Sequence, residues 1–255
     1  MNVLVVLRLV PDTGEDFELT ADGKDIDREW IGFKLNEFDD HALEEAVLLK
    51  EAAGANVLAV AFDGDGVDRL LQTALARGAD SVAKLTYDMA IPIQARTAAA
   101  LLSEVVAKQN INLVLTGVQT PEDLFGQLAP ALGATLQWPQ LSAVSGIKAD
   151  GANIVVQQEY SGGYAATLNL TLPAVVGVQA ASKPPRYVSG TKLREVSSTK
   201  IPALPCAAVA APSSSELLSL SFPVSTGQAE MISGDATTVA KRMVAVLRER
   251  GFVKG

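Results

Sequence analysis

Along this chain, short apolar runs alternate with stretches in which apolar residues recur every three to four positions. Val3 to Leu7, Val57 to Phe62, Ser81 to Thr86 and Leu113 to Leu115 are too short for helices and rich in bulky or β-branched residues, so they predict buried strands. Between the first two, Leu43, Ala46, Val47 and Lys50 fall at helical spacing. Asp39 or Asp40 can cap that helix, Glu44 and Glu45 suit its first turn, and Gly54 stops it. A second helix runs through Ala76 to a stop at Gly78. A third, rich in alanine, opens at Pro92 and ends near Lys108, and a fourth starts in Gly126 to Gly133. Strand then helix, repeated four times, predicts an α/β fold: a doubly wound, mostly parallel sheet with right-handed crossovers.

After Trp138-Pro139 the texture changes. Ile154 to Glu159, the turn Ser161-Gly162-Gly163 and Ala165 to Leu172 predict a β-hairpin, and Val175 to Gln179 a strand returning to the main sheet. A smaller turn is expected around Asp22-Gly23. From Lys183 the chain carries prolines, serines and few bulky groups, so 183–235 is expected as an extended arm, laid on a partner or otherwise functional. Ala236 to Arg250 is an amphipathic helix with Val239, Met243, Val246 and Leu247 on one stripe. It can dock on another subunit or fold back on its own sheet, and the pattern leaves both open. The expected parts are thus 1–182, 183–235 and 236–255.

Composition narrows the function. With 48% hydrophobic and 20% charged residues over 255 positions, the chain can build a large core. A net charge of −8 and a pI near 4.8 argue against nucleic acid or an anionic membrane as partner. One cysteine, Cys206, and one histidine, His41, exclude a disulfide framework and a Cys/His metal cluster. His41 lies beside Asp39 and Asp40 without a nucleophile motif, so triad chemistry is not expected, and Cys206 is expected to be inert. No stretch reads as a membrane span or signal peptide, and a first strand starting at Val3 leaves nothing to cleave, so a cytoplasmic protein is expected.

The candidate chemistry lies in Asn112 to Gln137, which reads strand, glycine-marked loop, helix start. Ligands of parallel sheets gather at the carboxyl ends of strands, against free N–H groups of the next helix. Gly117 and Gly126 let backbone approach a phosphate, and Gln119, Thr120 and Gln127 are neutral donors; an ordinary β–α turn is the alternative. Asp63-Gly64-Asp65-Gly66 lacks a third glycine and would repel a phosphate, so it reads as a turn.

Taken together, these landmarks resemble the β subunit of electron-transfer flavoprotein. The motifs are Val3 to Arg8, Leu35-Asn36-Glu37-Phe38-Asp39-Asp40 with Ala42 to Ala46, Thr73 to Asp80, Gly117-Val118-Gln119 with Gln127 and Trp138-Pro139-Gln140, Glu159 to Gly163, Leu172 to Val175, and Pro184-Pro185-Arg186-Tyr187. Each is weak alone; seven in order are specific. The Glu15-Asp16-Phe17-Glu18 stretch and the Asn36 loop look most like the methylotrophic bacterial branch.

The resemblance implies an adenine-nucleotide α-hydrolase-like sheet domain in a heterodimer with an α subunit. FAD would lie mainly in α and be covered in part by this chain, which would hold a structural AMP. Electrons would pass from a soluble flavin dehydrogenase to a quinone reductase. Carried over by position, AMP would meet Val6, Asn36, Glu37, Phe38, Asp39, Phe62, Gly117, Val118, Gln119, Thr120, Asp123, Gly126, Gln127 and Leu128. Arg8 and Phe38 would face FAD, and Pro185, Arg186, Tyr187 and Gly190 would dock the partner. Two departures stand out. Gly190 occupies the position of the family's docking leucine, and Pro121 to Gly126 replaces a more acidic, threonine-containing phosphate loop, so Glu122 and Asp123 must avoid the phosphate or bind ribose. Rival readings are a bifurcating flavoprotein with a second FAD in the AMP site, a stand-alone nucleotide-binding protein, and a hydrolase or adenylating enzyme. The last lacks its pyrophosphate loop, because Arg8-Leu9-Val10-Pro11 follows the first strand.

Overall fold

Strand β1 (Asn2–Val6) runs through the middle of the molecule, and its alternate side chains feed two different cores. Val3 and Val5 pack with residues of α1 (Glu37–Ala53) and α2 (Val67–Arg77) on one face. Leu4 and Val6 pack with α3 (Ala95–Lys108) and α4 (Leu128–Leu136) on the other. A strand covered on both sides has no polar face, which is why its sequence is an unbroken apolar run. In this computed structural model the described residues are 1–14, 16–29, 31–88, 93–207, 217–224, 227, 229 and 231–253.

The short strands β2 (Leu9–Pro11) and β3 (Phe33–Leu35) pair with each other, apart from the main sheet. The main sheet comprises β1, β4 (Asn56–Phe62), β5 (Ser81–Thr86), β6 (Leu113–Gly117), β7 (Gln140–Asp150), β8 (Asn153–Glu159), β9 (Ala165–Thr171), β10 (Ala174–Val178) and β11 (Ala203–Pro205). Its order is β11-β5-β4-β1-β6-β10-β7-β8-β9, parallel from β11 to β7 and antiparallel through β8 and β9. The chain reverses direction of winding at β1, with β4 on one side and β6 on the other, so the carboxyl ends of β1, β4 and β6 open a shared crevice. The doubly wound sheet, the hairpin of β8 and β9 and the returning β10 follow expectation.

Two elements do not. The hydrophobic pattern gave no sign of β7, because a register shift between Val144 and Gly146 and a positive φ at Ala143 break its period of two. Segment 183–235 also carries regular structure. α5 (Gly190–Val196), capped by Ser189 Oγ, is tied to α2 by Gln72 Nε2 donating to the carbonyls of Ser197 (3.0 Å) and Thr199 (3.2 Å). β11 then joins the sheet edge, the one place where Pro205 breaks no ladder. Farther along, Phe222 meets Phe17 with ring centroids 5.4 Å apart. α6 (Ala236–Glu249), capped by Asp235, buries none of its residues, and Met243, Val244 and Leu247 are exposed. Pro92 and Glu15 fall outside the described residues; α3 begins at Ala95. Among the described residues no helix is long and apolar enough to cross a membrane.

Candidate functional site

The start of α1 drives a carboxylate between two strand ends. Asp39, fully buried, accepts from the backbone N–H of Arg8 (2.9 Å) after β1 and of Gly117 (2.7 Å) ending β6. The Arg8 guanidinium closes on the same carboxylate through Nε (2.9 Å) and Nη2 (2.6 Å), and Nη2 also donates to the Gly117 carbonyl at 3.1 Å. Burial disfavours the charge on Arg8, but Asp39 outweighs it and holds the guanidinium above its ordinary pKa. A Cβ on Gly117 would lie 2.6 Å from both the Asp39 nitrogen and Phe38 Cβ. Backbone rather than a flexible side chain bars the way. Gly117→Ala is therefore expected to destabilise by about 1–3 kcal/mol, read from the shift in urea midpoint; an unshifted midpoint shows that α1 can step back freely.

Asn36, also buried, donates from Nδ2 to the Gln119 carbonyl at 3.0 Å, binding the loop after β6 to the start of α1. The loop then turns on itself. Asp123 N–H donates to Thr120 Oγ1 (2.9 Å), and Gly126, at φ +61° and against the Val118 carbonyl, admits no side chain. The Asp123 carboxylate swings forward to the helix: it accepts from the N–H of Gln127 (2.9 and 3.0 Å) and of Leu128 (3.2 Å), the first donors of α4. Glu122 turns aside to Arg28 at 3.1 Å, and Arg28 also holds Asp25. Glu122 is exposed but paired, and Asp123 is half-buried against the start of α4.

Beyond this knot lies a cleft of about 690 Å³ at the carboxyl ends of β1, β4 and β5. Leu7, Ala61, Ala98 and Leu128 supply apolar walls, and Phe62 meets Tyr87 edge to face at 5.8 Å and 80°. Of the expected ligand contacts, Arg8, Phe62, Thr120, Asp123, Gln127 and Leu128 line it. Val6, Asn36, Glu37, Phe38, Asp39, Gly117, Val118, Gln119 and Gly126 do not. Val6 is sealed in the core, Glu37 is exposed, and Phe38 is half-buried beside Gly117. Tyr87 and Arg96 line the cleft without having been anticipated; the position of Tyr87, one residue past a parallel strand, was the available signal.

At the expected docking stretch, Arg186 is anchored to α1. Its Nη2 meets Glu44 at 2.8 Å and its Nη1 meets Glu51 at 2.6 Å, and these bonds raise its pKa above the ordinary value despite burial. Tyr187 beside it is 94% exposed. Gly190 opens α5, and a Cβ added there would face open space. His41 Nδ1 accepts the Ala181 N–H at 3.2 Å. Burial, and then Glu104, push the Cys206 thiol above its usual pKa, away from reactivity. Among the described residues no cluster of His, Cys, Asp or Glu could hold a metal ion.

Comparison with known proteins adds the following. The electron transfer flavoprotein domain profile matches residues 25–204. The chain is 29% identical over 261 residues to electron transfer flavoprotein subunit beta of Methylophilus methylotrophus, covering 98% of both chains. It is 31% identical over 224 residues to subunit beta of Syntrophomonas wolfei, covering 88% of this chain and 86% of that one. The corresponding Sus scrofa subunit is 28% identical over 259 residues, 99% of each.

Proposed function

The chain belongs to the electron transfer flavoprotein family, among its β subunits, and from that premise we propose that it is the β half of a heterodimeric electron carrier. The observation that carries this reading is likeness to a β subunit through 98% of both chains. In this reading an α subunit holds most of the FAD, and the present chain closes one side of it. FAD supplies the electron-carrying chemistry when bound, and no residue of this chain makes or breaks a bond. Electrons arrive from a soluble flavin dehydrogenase and leave to a quinone reductase, in a bacterial cytoplasm.

The chain's own surface supports the division. Phe38, half-buried at the head of α1, offers an aromatic wall next to a backbone fixed by Asp39 and Arg8. Exposed Tyr187 projects from a stretch that Arg186 nails to α1, which is a rigid platform for a docking contact. The apolar stripe of α6, with Met243, Val244 and Leu247 exposed, is the kind of surface that a second subunit covers. Parts 183–235 and 236–255 serve that contact, and 1–182 forms the flavin-covering domain.

Co-expression of a tagged chain with the α subunit encoded beside it should yield a yellow pair that releases FAD on heating. Recovery of a colourless, stable monomer with α present and unbound excludes the reading. Within the pair, Phe38→Ala should remove a ring contact on the order of 0.5–1.5 kcal/mol and shift the flavin's visible spectrum and midpoint potential. An identical redox titration takes Phe38 off the flavin wall.

A further inference from the structure

The cleft has the volume and the apolar walls for an adenine, but the start of α4 offers the matching phosphate little. A phosphate at a helix start needs free N–H groups. Two of the N–H groups at the start of α4, on Gln127 and Leu128, already donate to the Asp123 carboxylate, and the helix's third residue, Pro130, has none to give, which leaves that of Ala129. Asp123 is not a stray contact: its own N–H is held by Thr120, and its carbonyl accepts the Gly126 N–H at 3.0 Å, so the loop is wound around it. Bringing a phosphate there means ejecting a carboxylate or setting two anions side by side, and each is disfavoured. Two of the three arginines that line the cleft are also committed, Arg8 to Asp39 and Arg28 to Asp25 and Glu122, while Arg96 stands on α3.

We infer that this chain caps α4 with its own Asp123 where a nucleotide phosphate would otherwise bind, and that the assembled flavoprotein carries FAD but no AMP. The loop is stable without a nucleotide because the anion that its helix requires is part of the chain. The same argument turns away the pyrophosphate of a second FAD. The inference rests on the reading as a β subunit only in naming AMP as the nucleotide to be sought.

The test uses the co-purified pair. Heat-released nucleotides, separated by anion exchange, should contain FAD in equimolar amount and only traces of AMP; equimolar AMP overturns the inference while leaving the subunit reading intact. If neither α nor FAD is recovered, the subunit reading falls, and a titration of AMP and adenosine into the purified chain still decides this one. AMP binding no tighter than adenosine, or neither binding, upholds it. A preference for AMP of about tenfold or more, the worth of one hydrogen bond to a charged group, refutes it. Asp123→Ser, which keeps a capping oxygen and removes the charge, should create that roughly tenfold preference. A properly folded Asp123→Ser protein with no preference also counts against the inference.

Discussion

Asp39→Ala should destabilise the protein by about 3–5 kcal/mol, the typical result of removing one partner from a buried ion pair. Four donor bonds end on this carboxylate: the N–H groups of Arg8 and Gly117 and two from the Arg8 guanidinium. Among the described residues, truncation leaves the largely buried Arg8 guanidinium with the Gly117 carbonyl as its hydrogen-bond acceptor, and leaves two backbone donors at adjacent strand ends without acceptors. Asp39→Asn retains an acceptor but brings an NH2 towards donors, so it should fall between wild type and alanine. Urea unfolding with an unchanged slope measures the loss. A deficit under about 1 kcal/mol would show that Arg8 finds another partner or reaches water. If the chain is the β half of the proposed pair, the Asp39 variants should also weaken FAD retention there, because the same carboxylate sets the distance from α1 to β6.

The second large effect is expected at Glu45, an almost fully buried carboxylate on the inner face of α1. It accepts the Ile147 N–H (2.6 Å), the Ser182 N–H (2.7 Å) and the Ser182 hydroxyl (2.9 Å). Ile147 lies in β7 just past its irregularity, where the strand cannot keep regular ladder bonds on both sides, and Glu45 satisfies the donor left over. Glu45→Ala should cost about 2–4 kcal/mol through donors stranded away from water. Amide exchange at Ile147 should accelerate well beyond that at Val176, which lies in the regular ladder between β6 and β10. Equal acceleration at both sites would mean global loosening and would remove the specific role assigned to Glu45. Glu45→Gln should recover part of the loss, since an amide oxygen replaces one acceptor.

These two acids show the limit of reading the chain as a string. Both stand on the first helix, where the helical pattern offered Asp39 as a cap and Glu45 as a first-turn charge. The helix instead begins at Glu37 behind Asn36, so Asp39 lies in its first turn and Glu45 well inside it, and the buried side of neither was foreseen. Nothing local distinguishes an acid facing water from one facing the core. The difference is made by Ile147 and Ser182, more than one hundred residues away, and by Gly117 at a distance of 78 positions. The glycine at 117 was legible as a point of close approach, and the start of α1 lies against it. Gly126, read in the same way, yields to a carbonyl of its own loop.

What the sequence determined by itself was the doubly wound sheet, the hairpin and the family, because periodicity and burial are properties of neighbours and a buried parallel strand must be apolar throughout. Only the tertiary structure decided where the polar side chains point. A carboxylate is committed by whichever donors the fold brings to it, and at the mouth of this sheet the donors at the start of α4 are brought to Asp123.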